Sequence, residues 1–290
     1  MNDNVPEAPT CLLTGASGYL GGLIAKRLKA AGWRVVGMTR KPRAGEVAFT
    51  LGQPVSPEIL KGHDALIHCA YDFAPIGWTD IEATNIKGAE MLFAAAKAAG
   101  IKRMVAISTI SAFDGCKSNY GKAKLEIEKH ARTAGACIVR PGLIYGAAPG
   151  AMFGRLVSQV KKASLVPIPG DGKQLMYTVH EDDLTDAILN GLSTNPAPQA
   201  SITVANGVAL SFRDIMVAIG RKLNRSVTTI PVPWQAMWLA LRTAEVAKIP
   251  LGLRSDSLVS LVNQDKSPVI NSDLLGVRCR SFSLDGVAIG

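Results

Sequence analysis

Thr14-Gly15-Ala16-Ser17-Gly18-Tyr19-Leu20-Gly21 is the stretch that decides how this chain is read. It follows the short apolar run Cys11–Thr14 and opens Tyr19–Ala31, a segment rich in helix formers, so the glycines sit at a strand-to-helix turn. Gly15 and Gly18 let the backbone turn tightly and approach a pyrophosphate, Gly21 permits close helix-to-strand contact, and N–H groups at the helix start bind negative charge. Gly15, Ser17, Gly18, Tyr19 and Leu20 are therefore expected to line a dinucleotide.

Outward from this turn, short apolar runs alternate with helical periodicity. Strands are expected at Cys11–Thr14, Val35–Thr39, Ala65–Ala70, Met104–Ser108 and Ala136–Arg140, each apolar enough to be covered on both faces. Helices are expected at Tyr19–Ala31, Ile81–Ala99 and Tyr120–Thr133. This is the signature of repeated βαβ units, hence an α/β fold with a Rossmann-type doubly wound parallel sheet. After Tyr145 the texture changes to small-residue loops, short helices and isolated strands, which predicts a small C-terminal α/β substrate-binding cap. The expected division is a disordered segment over 1–10, a dinucleotide-binding domain over 11–150 with later segments returning to it, and a cap over most of 151–290.

Composition narrows the class. The chain has 290 residues, 48% hydrophobic and 19% charged, which is globular rather than disordered. No apolar run reaches the roughly 18 to 20 residues a spanning helix needs, and Met1–Thr10 lacks the basic start and apolar stretch of a signal peptide. A cytoplasmic location is expected. Cys11, Cys69, Cys116, Cys137 and Cys279 are odd in number, scattered and never paired as CxxC, which argues against a disulfide framework and a zinc site. The net charge of +9 favours anionic partners, but the basic residues form no dense run and aromatics are only 6%. Neither nucleic acid nor membrane is expected as a partner.

At the end of the second expected strand, where an NAD enzyme usually places an acid for the ribose, the chain reads Thr39-Arg40-Lys41-Pro42-Arg43. A guanidinium grips a 2′-phosphate bidentately, so NADP(H) is favoured over NAD(H), with Arg40 as the contact. Farther on, Tyr120 and Lys124 stand one helical turn apart on one face. A phenol with an ordinary pKa near 10 is a poor proton donor and acceptor at neutral pH, and a neighbouring ammonium lowers it. Ser108 and Thr109 end the preceding strand, placing hydroxyls at the carboxyl edge of the sheet, where ligands bind in such folds.

These features, taken together, resemble an extended short-chain dehydrogenase/reductase of the NAD-dependent epimerase/dehydratase family, over nearly the whole chain. The glycine motif at 14–21, Asp64–Ala70, Asn85-Ile86-Lys87-Gly88-Ala89, Arg140–Gly146, Gly170–Gln174 and Val179–Leu184 each match a family segment. The resemblance implies Tyr120 as proton donor or acceptor, Lys124 as its electrostatic partner and holder of the nicotinamide ribose, and Thr109 as the hydroxyl on the substrate oxygen. Thr109 is preferred to Ser108 and Ser111 because 108–115 registers with the STDYVFDG pattern of dTDP-4-dehydrorhamnose reductases. It also implies cofactor contacts at Leu51, near adenine, and at Ala70, Asn85, Ser108, Pro141 and Ile144, and a homodimer.

Two departures bear on the substrate. Tyr120 follows Thr109 by only eleven positions, whereas nucleotide-sugar enzymes of the family carry a longer loop, and Met176 stands where an arginine commonly meets the nucleotide pyrophosphate. The first expectation is hydride transfer at a carbonyl or carbinol carbon of a nucleotide sugar. The alternatives are reduction of a small or apolar ketone and a catalytically idle NADP-binding sensor or assembly protein. His180, Asp182 and Asp183 read as helix-capping residues, no metal is expected, and Pro233–Leu239 reads as core or cap packing.

Overall fold

The computed structural model describes residues 7–147, 150–194, 197, 199–249 and 253–289. Of the N-terminal segment expected to be disordered, residues 1–6 lie outside the described residues, and Thr10 already opens the first strand. No helix among the described residues is long and apolar enough to cross a membrane.

In chain order the first elements are β1 (Thr10–Thr14), α1 (Tyr19–Ala30), β2 (Arg34–Thr39), β3 (Val47–Ala48), β4 (Ala65–His68), α2 (Trp78–Ile81), α3 (Lys87–Ala98), β5 (Arg103–Ile107), α4 (Asn119–Ala134) and β6 (Cys137–Pro141). They continue as β7 (Leu143–Tyr145), α5 (Ala151–Lys162), β8 (Leu165–Pro169), β9 (Leu175–Met176), β10 (Thr178–His180), α6 (Glu181–Ser193), β11 (Ile202–Val204), β12 (Leu210–Ser211), α7 (Phe212–Lys222), β13 (Thr228–Val232), α8 (Trp234–Val246) and α9 (Ser255–Val262).

Two compact units result. The first comprises Met1–Ser108, Glu126–Val139 and Thr185–Ile202, and the second Thr109–Leu125, Arg140–Leu184 and Thr203–Gly290. The seven-stranded sheet has the order β11-β6-β5-β4-β1-β2-β3, and the pairings from β3 through β6 are parallel. β1 and β4 are buried throughout, as strands covered on both faces must be. The strand order reverses between β1 and β4, the switch point outside whose carboxyl ends such sheets bind ligands.

The helix expected over Ile81–Ala99 is interrupted. A π turn over Glu82–Ile86 separates α2 from α3, widening the helix where Asn85 turns inward and is buried. In the second unit, Phe212, Ile215, Met216 and Ile219 of α7 recur at helical spacing and pack with Phe153, Val157 and Val160 of α5 and Val166 and Ile168 of β8. β8 pairs with β13, β10 with β7, and β12 with β9 as small separate sheets.

Candidate active site

In the first unit, Gly15 adopts φ +71°, a conformation glycine enters without strain, and a Cβ there would lie 3.0 Å from the Ala70 backbone nitrogen. A Cβ on Gly21 would run into the Gly15 carbonyl oxygen. Gly15 and Ala70, each expected to contact the cofactor, are thus brought together at the switch point. Thr14 fastens them: its hydroxyl accepts from the Cys69 and Ala70 amides, each at 3.1 Å, leaving its one proton for His68 Nδ1 at 2.9 Å. Behind this loop α1 begins with Gly18 as an extended cap, with neither a side-chain cap nor an acid in its first turn. An uncapped, acid-free helix start beside closely approaching backbone fits a dinucleotide pyrophosphate.

Arg40, Lys41 and Arg43 are exposed just beyond β2. Glu46 folds back among them, its carboxylate accepting from the Thr39 hydroxyl at 3.2 Å and the Arg43 amide at 2.9 Å. Its Cγ and Oε1, like the Ala16 Cβ, stand within 3.3 Å of where a Gly37 side chain would begin. An acid therefore reaches the glycine loop from seven residues beyond β2, a position no strand-end rule inspects. Leu51 lies against Gly88, which needs to be glycine because a Cβ would approach the Gly52 nitrogen to 2.5 Å. Asn85 accepts from the Asp72 amide at 2.7 Å and donates to the Asp72 carbonyl at 3.0 Å, so it shapes the loop after β4.

The second unit carries Thr109, Tyr120 and Lys124. The helix that carries Tyr120 and Lys124, α4, starts with nearly every amide satisfied. Asp256 of α9 accepts from the Asn119 and Tyr120 amides at 2.8 and 2.9 Å, and the buried Ser118 hydroxyl accepts from the Gly121 amide at 3.1 Å. Gly121 lets the first turn press on the preceding segment, since a Cβ would collide with the Ser111 carbonyl oxygen. Ser111 in turn donates its amide to the Thr109 hydroxyl at 3.2 Å, which ties the Thr109 turn to the start of the Tyr120 helix. Lys124 is 2% exposed, with its Nζ 5.9 Å from the Tyr120 ring centre. Asp256→Ala removes the carboxylate from two helix-start amides and is expected to cost about 1–2 kcal/mol, read as a lower denaturant midpoint with unchanged slope.

The other expected contacts separate by environment. Ser108 donates to the buried Glu128 carboxylate at 2.5 Å, and Glu128 also accepts from Ser201 at 2.8 Å. This spends the Ser108 hydroxyl and leaves Thr109 as the catalytic candidate of the pair. Pro141 is buried, its carbonyl accepting from the Ile110 amide at 3.0 Å, and Ile144 is half-buried opposite Val179 in the β7–β10 pair. Asp183 forms a forked pair with Arg280, its Oδ1 2.9 Å from Nε, and Glu181 caps the Ala147 amide at 3.1 Å. Tyr145 donates to the Ser281 carbonyl at 3.1 Å, and burial raises its phenol pKa above the ordinary value, which marks it as structural. None of the five cysteines forms a disulfide, and burial pushes the Cys11 and Cys137 thiols up to about 12 and about 11, so neither is a thiolate at neutral pH.

Several of these residues escaped the sequence reading. Asp256, Glu128 and Glu46 lie in no motif, and no local spacing links them to the groups they hold.

Comparison with known proteins agrees with this geometry. A 4-hydroxy-2-methyl-3-oxo-4-farnesyl-3,4-dihydroquinoline-1-oxide ketoreductase of Stigmatella aurantiaca is 26% identical over 266 residues, covering 80% of this chain and 79% of that protein. A ceramide reductase of Caulobacter vibrioides is 33% identical over 146 residues, 46% of each chain. Among solved structures, MoeE5 in complex with UDP-glucose and NAD shares the fold, with TM-score 0.73 and 22% identity over 97% of this chain and 96% of that one. Residues 11–204, more than half of the chain, match the NAD dependent epimerase/dehydratase family, and the chain belongs to that family of NAD(P)-linked enzymes.

Proposed function

We propose that the protein reduces a carbonyl group on an apolar substrate, using NADPH. The observation that carries the substrate class is Met176. Where the family resemblance expects a pyrophosphate-binding arginine, this thioether packs with Leu143 and Leu210 against the apolar cluster of the second unit. A thioether offers no charge to a diphosphate but suits an aliphatic chain. The similarity to a ketoreductase of a farnesylated compound, over 80% of this chain, supports the same class.

When bound, the nicotinamide cofactor would supply the hydride that the carbonyl carbon receives. The Thr109 hydroxyl holds the carbonyl oxygen, and the Tyr120 phenol delivers the proton to that oxygen as it becomes an alcohol. Lys124 stabilises the resulting phenolate. Gly15–Leu20 and the start of α1 would hold the cofactor's pyrophosphate, and Arg40 would hold a 2′-phosphate.

A second reading, a nucleotide-sugar substrate, has one observation in its favour. Arg213 adjoins the Gly170–Gln174 loop, its amide donating to the Gly172 carbonyl at 3.0 Å, and stands where it could replace the missing arginine. The test measures NADPH oxidation with a long-chain aliphatic 3-oxo compound, alongside the melting temperature of the NADPH-loaded protein with UDP, dTDP, GDP or ADP. A ligand at about 100 times its Kd adds roughly 2.7 kcal/mol to stability. Turnover of the ketone without nucleotide stabilisation is expected. Selective stabilisation by one nucleotide without ketone turnover would transfer the assignment to the second reading.

A further inference from the structure

We propose that the β8–β13 sheet of the second unit docks the protein onto an anionic lipid bilayer. The sheet is parallel, with Thr228 opposite Leu165 and Ile230 opposite Pro167. Its inner residues Val166 and Ile168 enter the core, whereas Leu165 (60%) and Ile230 (42%) point outward with Pro167 and are exposed. Two large apolar side chains exposed on one outward sheet face, diagonal to each other and joined by Pro167, carry information in a way that a lone surface leucine does not.

The chain order gathers cations along one edge of this sheet. α5 ends at Lys162 just before β8, and α7 ends at Lys222 just before β13. Because the two strands run parallel in register, both helix ends arrive at the same edge, with Lys161, Lys162, Arg221, Lys222 and Arg225 all exposed there. Arg225 donates to the Lys161 carbonyl at 2.6 Å, which joins the two groups directly. No acid occurs between Ala151 and Gly170 or between Ile215 and Ala244; of the acids that bound these stretches, Asp171 follows β8, Asp214 lies in the first turn of α7, and Glu245 lies in α8, where it accepts from Ser255.

Helix C-termini favour cations, but a residue or two satisfies each end, and that effect gives no account of the exposed leucine and isoleucine beside them. A second copy of the same face would set five cations against five. A free phosphate or a nucleic acid would use the cations and leave the aliphatic face idle. An anionic bilayer uses both: its headgroups meet the basic edge, and its acyl boundary receives Leu165 and Ile230. This replaces the expectation of no membrane contact with peripheral contact, and it is independent of which substrate is reduced.

The test is co-sedimentation with phosphatidylcholine vesicles, with and without phosphatidylglycerol. Binding to the phosphatidylglycerol vesicles is expected at low salt, with loss as salt rises. Lys161→Gln with Lys162→Gln should lower the partition coefficient about thirtyfold, the equivalent of two surface cations, and Leu165→Asp about tenfold or more. Both lie on an exposed edge, and an unchanged melting temperature would show that the variants fold. The proposal is overturned by absence of vesicle binding at low salt, by equal binding to neutral vesicles, or by full binding of Leu165→Asp. It is also overturned if Leu165→Asp instead converts a stable dimer to a monomer.

Discussion

Tyr120→Phe is expected to abolish carbonyl reduction while leaving NADPH binding nearly intact. The substitution removes one oxygen from a half-buried side chain and leaves the Asp256 and Ser118 contacts at the start of α4 in place, because those are made to backbone amides. In the proposed mechanism, what disappears is the proton that the carbonyl oxygen receives. General acid catalysis of this kind is worth about 10²- to 10⁴-fold, so the loss should fall in kcat. NADPH affinity, measured by fluorescence titration, should change by less than about threefold, within the range of a small packing adjustment. Unchanged turnover would remove Tyr120 from the mechanism. Retained NADPH binding with no turnover in the wild type, on any carbonyl compound, would instead favour the idle cofactor-binding reading.

Arg40→Ala carries the second large effect, on cofactor choice. A bidentate guanidinium–phosphate contact is a charge-assisted interaction of about 1.5–3 kcal/mol, so NADPH should bind about 10- to 100-fold more weakly, with NADH little changed. Glu46 makes the prediction two-sided. Its carboxylate is held against Gly37 of β2 by the Thr39 hydroxyl and the Arg43 amide, and an acid at the end of the second strand would disfavour a ribose 2′-phosphate and favour a 2′-hydroxyl. Glu46→Gln should therefore strengthen NADPH binding and weaken NADH binding. A wild type that prefers NADH, with Arg40→Ala leaving the ratio of the two affinities unmoved, would assign selection to Glu46 alone.

Much of the fold was legible in the sequence because its signals are local. The β1 run, the glycines behind it and the helix that follows occupy one continuous segment, and burial on both faces of a parallel sheet requires each strand to be apolar along its length. The Tyr120–Lys124 spacing was readable for the same reason, since four residues is close to one turn of a helix and α4 keeps it. The π turn at Glu82–Ile86 was not readable: one widened turn leaves the composition of a helix unchanged, and it is Asn85 closing on Asp72 that accompanies the extra width.

The sequence by itself determined the class of sheet, the pyrophosphate loop and the residue types available for proton transfer, because each is encoded by neighbours within a turn or a strand. Only the tertiary structure decided which groups hold them. Asp256 reaches the amide of Tyr120 from 136 positions away, Ser201 reaches Glu128 across 73, and the basic edge assembles from two helix ends separated by some sixty residues of chain. Such contacts leave no periodic trace, because side-chain polarity records whether a residue faces water or core and not which distant partner it meets there.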